Sequence, residues 1–195
     1  MATQKALVQY GTQLLFADVT DFPNAGAGPP TTAANSLIIG TPTKVQMNVS
    51  VIAAAAAWES AKTATLAHTG TAWPEEWVLG AVMESTATPA AGGTFDFYWN
   101  ASPSATPGTG NSGEASGVDS AIAITHLSAL IHIGTMMVRA NVINKKSCIG
   151  RLRMPYLYGS LIIVNNTNVA MVADGNADEC FAVLTPVIPD LMAAA

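Results

Sequence analysis

Residues 93–119 read GTFDFYWNASPSATPGTGNSGEASGVD. The first part alternates: Phe95, Phe97 and Trp99 fall on one side of an extended chain, Asp96 and Tyr98 on the other. That is the period of a half-buried β-strand, predicted over Thr94–Trp99. Beyond it, the chain becomes a long run of Gly, Ser, Pro, Thr and Asn with almost nothing able to build a core. A loop of this length in a compact domain is usually functional or disordered.

The same alternation recurs on either side. KVQMNVSVI predicts a strand over Lys44–Ile52, with Val45, Met47, Val49 and Val51 on one face. Further strands are predicted over Trp77–Ser85, Leu130–Ala140 with a bulge at Gly134, Cys148–Met154, Gly159–Asn165, Val169–Ala173 and Phe181–Val187. The interval 165–168 reads as a hairpin turn. Ala53–Leu66 is ambiguous, because its Ala-rich run favours helix yet comes directly after a strand. Short strands, frequent polar turns and no long amphipathic helix give an all-β chain of about eight or nine strands. The expected architecture is a single-domain β-sandwich, most simply a jelly roll, over residues 36–190. Residues 1–35, rich in Gly and Pro after position 20, read as an extended N-terminal arm. Residues 191–195 form a short Ala-rich tail. Loss of the arm is expected to leave the domain folded.

Composition narrows the function. Of 195 residues only 11% are charged, against roughly 25% in ordinary domains. Such a surface suits packing against other protein. The net charge of −5 with eight Lys and Arg offers no footprint for nucleic acid. The local basic cluster Lys145, Lys146, Arg151 and Arg153 reads as a solvated hairpin end. The N-terminus lacks the apolar core of a secretory signal, so Cys148 and Cys180 are expected as thiols and the sequons at Asn48, Asn100 and Asn165 carry no weight. The uncharged stretch 120–138 holds too many polar residues for a membrane span.

Reactive groups are sparse. Gly110-Asn111-Ser112-Gly113, with His68 and Asp96 before it, has the chain order of a chymotrypsin-like protease triad. Only 15 residues separate Asp96 from Ser112, too few for the strands such a fold places there. Asp174-Gly175-Asn176-Ala177-Asp178 begins like a calcium loop, but Glu179 and Thr185 stand where Gly and Glu are needed, so an acidic turn is the better reading. His126 and His132 could share a strand face, without the further ligands a zinc site wants. No enzyme activity, metal or cofactor is expected. The aromatics Trp58, Trp73, Trp77, Trp99, Tyr156 and Tyr158 read as core or as interface anchors.

Four stretches resemble capsid cement or decoration proteins of tailed bacteriophages: WESAKTATL, GGTFDFYWNASPS with GTGNSGEASGVD, PYLYGSLIIVNNT, and FAVLTPVIPD. They span roughly residues 45–190 in one order. The resemblance implies a non-enzymatic β-sandwich subunit on the outside of a capsid lattice, made in the host cytoplasm. Its expected partners are the major capsid protein and copies of itself, as a trimer or dimer, with no nucleic acid or membrane. Interface residues expected on this reading are Trp73, Trp77, Trp99, Pro103, Arg151, Arg153, Tyr156 and Tyr158. A carbohydrate- or receptor-binding jelly-roll module is the alternative.

Overall fold

A computed structural model of the chain describes residues 6–10, 12–18, 37–63, 76–172 and 180–191. These form eleven strands: β1 (Ala6–Tyr10), β2 (Leu14–Ala17), β3 (Thr43–Gln46), β4 (Ala56–Glu59), β5 (Glu76–Glu84), β6 (Thr94–Ser102), β7 (Ser120–Ile122), β8 (Ile131–Met137), β9 (Ile143–Leu152), β10 (Tyr158–Asn165) and β11 (Phe181–Leu191). One sheet runs β3-β2-β11-β5-β9, with β1 also paired to β11. The other runs β7-β4-β10-β6-β8. Among the described residues every ladder is antiparallel except β2 with β3. The all-β reading holds.

The alternation in β6 places Phe95, Phe97 and Trp99 fully inside, in one cluster with Phe16 of β2, Leu79 of β5, Leu161 of β10 and Leu184 of β11. That cluster draws on both sheets. Phe16 meets Trp99 edge to face, with ring centroids 6.3 Å apart and planes at 84°, a geometry that adds about 0.5–1.5 kcal/mol beyond area burial. Strands β2, β10 and β11 are apolar on both faces. Their other faces feed two separate clusters: Leu15, Val82, Phe181 and Val183 beneath Leu37, and Ile162 and Val164 with Ala57 and Ala115. Near-continuous apolar runs such as LIIV are what a strand buried on both sides requires.

Several predicted elements differ. The strand begun at Lys44 ends at Gln46, and Val49–Val51 form a 3-10 turn. There the Asp119 carboxylate accepts from the Asn48 amide at 3.0 Å, and Ser50 Oγ donates to Asn48 Oδ1 at 2.7 Å. These side-chain bonds compete with a ladder. The ambiguous Ala-rich run becomes strand β4 after a turn at Ala55, whose φ is +54°. Its ladders with β10 and β7 override helix propensity. The interval 165–168 does not close a hairpin. Asn165 is fully buried, accepts from Thr167 through Oδ1, and donates to the carbonyls of Ala53 and Val169. This turn sends the chain to the first sheet, where Met171 bridges Ser85.

The described part of the expected arm lies in the first sheet. Strand β2 sits between β11 and β3, and its four side chains are 0–5% exposed. Residues 1–5, 11 and 19–35 of that expected arm lie outside the described residues. In the sequence β2 is marked only by a four-residue apolar run, which could equally belong to a linker.

At one corner, β8 of the second sheet and β9 of the first approach backbone to backbone. A Cβ on Gly134 would stand 2.7 Å from the Ile149 carbonyl oxygen, and one on Gly150 would overlap the Ile133 carbonyl. Gly150 permits this approach, since any side chain would force the two strands apart.

This packing sets the stability of the domain in three testable ways. Phe16→Ala should cost about 3–5 kcal/mol, as for other large-to-small core changes, and removal of residues 2–34 should abolish the cooperative melt seen by circular dichroism. A truncated chain that still melts cooperatively would show that β2 is dispensable. Gly150→Ala should lower stability by about 1–3 kcal/mol through overpacking, read as a drop of several degrees in Tm. An unchanged Tm would mean that the β8–β9 approach can relax freely.

Candidate functional site

The long loop after β6 does not stand at a rim. It crosses the outer face of the second sheet, and Ala115 and Gly117 within it are buried. The residue that holds it is Glu59 at the end of β4, 1% exposed. One carboxylate oxygen accepts from the Ser116 amide at 2.7 Å and from its hydroxyl at 3.0 Å. The other accepts from the Gly117 amide at 2.8 Å, Ser160 Oγ at 2.6 Å and Asn100 Nδ2 at 3.3 Å. Buried carboxylates are tolerated when so many donors meet them. Asn100 completes the clamp by accepting from the Ser112 amide at 2.9 Å. Strand periodicity puts Glu59, Asn100 and Ser160 on one face of the neighbouring strands β4, β6 and β10.

Two further side chains close the loop. Lys62 Nζ donates to the carbonyls of Thr106 and Thr109, at 2.8 and 2.7 Å. Burial pulls its ammonium below the ordinary lysine range, an effect partly offset by the Glu59 carboxylate. Its methylenes lie against Gly117, at φ +69°, where a Cβ would come within 2.9 Å. Asp119 ends the loop by accepting from Trp58 Nε1 at 2.6 Å, Gln46 Nε2 at 2.8 Å and the Asn48 amide. The loop is therefore a lid with polar fastenings. Sequence patterns do not single out Glu59. Its only signal is a lone acid after Trp58 in an otherwise apolar, Ala-rich strand.

The protease residues are not brought together. Asp96 accepts from Thr135 Oγ1 at 2.5 Å and Asn166 Nδ2 at 2.6 Å. Ser112 lies by Asn100, four residues further along β6, or roughly 13 Å at strand rise. His68 lies outside the described residues, as do the 174–178 turn and Trp73. His126 falls in the 3-10 turn Ile124–Ala129 and His132 in β8, so they share no strand. The His132 ring lies 5.0 Å from that of Tyr98. Burial raises the Tyr98 phenol above its ordinary pKa, and neighbouring Asp96 adds to this. Among the described residues, no cluster of His, Cys, Asp or Glu suits a metal ion. Cys148 and Cys180 are not disulfide-bonded, and Cys180 Sγ accepts from the Glu84 amide at 3.3 Å.

Of the expected interface residues, Trp77 and Trp99 are 2% and 0% exposed and belong to the core. Inward strand positions, not surface ones, carry them. Pro103, Arg151, Arg153 and Tyr156 are exposed, and Tyr158 is half-buried. Arg151 pairs with Glu76 at 3.0 Å. Tyr156 and Leu157 stand out together at the turn between β9 and β10.

No protein-family model, curated protein or solved structure matches the chain.

Glu59→Ala would leave several buried donors without an acceptor, at about 1–3 kcal/mol for each that water cannot reach. The expected result is a lower Tm and fast hydrogen exchange confined to residues 103–119. Exchange in that segment equal to wild type would remove Glu59 as the fastening.

Proposed function

We propose that the chain is a non-enzymatic structural subunit of a bacteriophage particle, seated on the outside of the capsid and stabilising it by noncovalent contacts. The fold we assign is a β-sandwich of jelly-roll type. Strand order carries this reading. With β2, β4, β5, β6, β8, β9, β10 and β11 taken as the first to eighth strands, one sheet is ordered 1-8-3-6 and the other 2-7-4-5. That is the order of the eight-stranded, two-Greek-key double sheet used by viral capsid proteins and lectins. Strands β1, β3 and β7 are additions to this frame.

The nature of the polar groups supports a structural role. Glu59, Asn100, Asp119 and Lys62 are engaged in fastening the lid. The surface is poor in charge, which favours close contact with neighbouring protein. Capsid stabilisation of this kind works through many simultaneous contacts on a lattice. The partners we assign are the major capsid protein and further copies of this chain. A trimer or dimer would present several capsid contacts at once.

The same strand order serves sugar-binding domains, so the test separates the two. Purified protein mixed with undecorated heads should co-sediment with them and raise their resistance to heat. Failure to co-sediment, together with retention on a glycan array, would replace the virion role with a carbohydrate-binding one.

A further inference from the structure

We infer that the groove between β8 and the start of β9 is a self-association surface, docking an acidic region of a second copy of this chain. The inference rests on the self-assembly part of the proposed function, and does not require the capsid.

The groove encloses about 890 Å³. Its lining includes Met137, Arg139, Ile143, Lys145 and Lys146. Met137 is 68% exposed and Ile143 42%. Single exposed apolar residues are ordinary. Here two of them share one concave surface and are ringed by cations. Methionine is a side chain that adapts to irregular partners. Lys146 also reaches the Thr135 carbonyl at 3.4 Å, across the groove from β9 to β8, so both strands present one continuous surface.

Charge in the chain is sharply segregated. Residues 120–173 hold five of the eight basic residues and none of the thirteen acidic ones. All five (Arg139, Lys145, Lys146, Arg151 and Arg153) are exposed. The remainder of the chain sets three basic residues against thirteen acidic. A second copy therefore carries, outside this segment, the charge that complements the groove. The groove cannot face itself across a two-fold axis, because that would bring like charges together. The contact must pair it with a different surface of the neighbour, reciprocally in a dimer or head to tail in a ring. Nucleic acid is a poorer fit. The chain as a whole is acidic, and exposed Met and Ile side chains have nothing to offer a phosphate backbone.

Sedimentation velocity tests this on the full chain at 50 and 500 mM NaCl. Wild type should self-associate at low salt and weaken about tenfold at high salt, where screening shortens the reach of the charges. The double variant Lys145→Glu/Lys146→Glu should weaken association at least about tenfold at 50 mM NaCl. Met137→Asp, at a site too exposed to disturb folding, should do so independently. Circular dichroism should be unchanged in both. A monomeric wild type, or an oligomer that neither variant weakens, would overturn the inference. So would a wild-type monomer that instead binds poly-glutamate or duplex DNA through these lysines. A monomer that still co-sediments with undecorated heads would defeat this inference and leave the virion role standing. An oligomer of the expected behaviour that ignores heads would do the reverse.

Discussion

Strands β2, β10 and β11 are apolar on both faces, so neither sheet can leave the outside of these strands to water. Leu15, Phe181 and Val183 on one sheet, and Ile162 and Val164 on the other, are buried as completely as the shared core. Burial of each such side chain is worth about 1.5–3 kcal/mol, and that gain requires a cover. On the first sheet Leu37 and Ile38 contribute to it. On the second the cover comes from Ala115 of the long loop, Ile122 of β7, and Leu127 and Leu130. Over residues 103–119 that loop has only Ala105, Ala115 and Val118 as aliphatic side chains besides two prolines, and so small an apolar area has to be fastened by polar bonds. The Glu59 carboxylate does so through the Ser116 amide and hydroxyl and the Gly117 amide of the lid, while Ser160 and Asn100 hold it on the sheet.

This arrangement explains why polar residues cluster on an otherwise apolar face. Asn100 and Ser160 occupy outward positions in β6 and β10, where exposed side chains would ordinarily be found. They are buried because the lid crosses them. Together with Glu59 they form a connected network, in which partial satisfaction would be costlier than an apolar surface. A loop with the composition of a candidate active site is thus a structural cover. Exposed apolar side chains stand, among other places, at Met137 and Ile143 beside the basic β8–β9 corner and at Tyr156 and Leu157.

Much of the fold is legible in the residues. Alternation identifies β5, β6 and β8, and the run LIIV marks a strand buried on both faces. Periodicity fails where side chains capture the backbone. Asp119 and Ser50 end β3 early, and Asn165 turns the chain out of its sheet. Leu14–Ala17 is not recognisable as a central strand, because four apolar residues between Gly-containing segments look the same in a linker. Trp77 and Trp99, expected as interface anchors, are core, since aromatic character alone does not say which side of a strand faces water. Glu59 carries no pattern, for its five donors come from three separate stretches of chain.

Local periodicity and composition determined that this protein is all-β, where most strands begin, and that five of its eight basic residues lie in one segment free of acidic ones. These properties depend on neighbours two residues apart or on composition, which the sequence contains directly. Tertiary structure alone decided the strand order, the lid over the second sheet and the meeting of β8 with β9. Those features depend on pairs of residues far apart in the chain, such as Glu59 with Ser160 and Phe16 with Ala182. Their contacts exist only once both sheets have closed over the shared core.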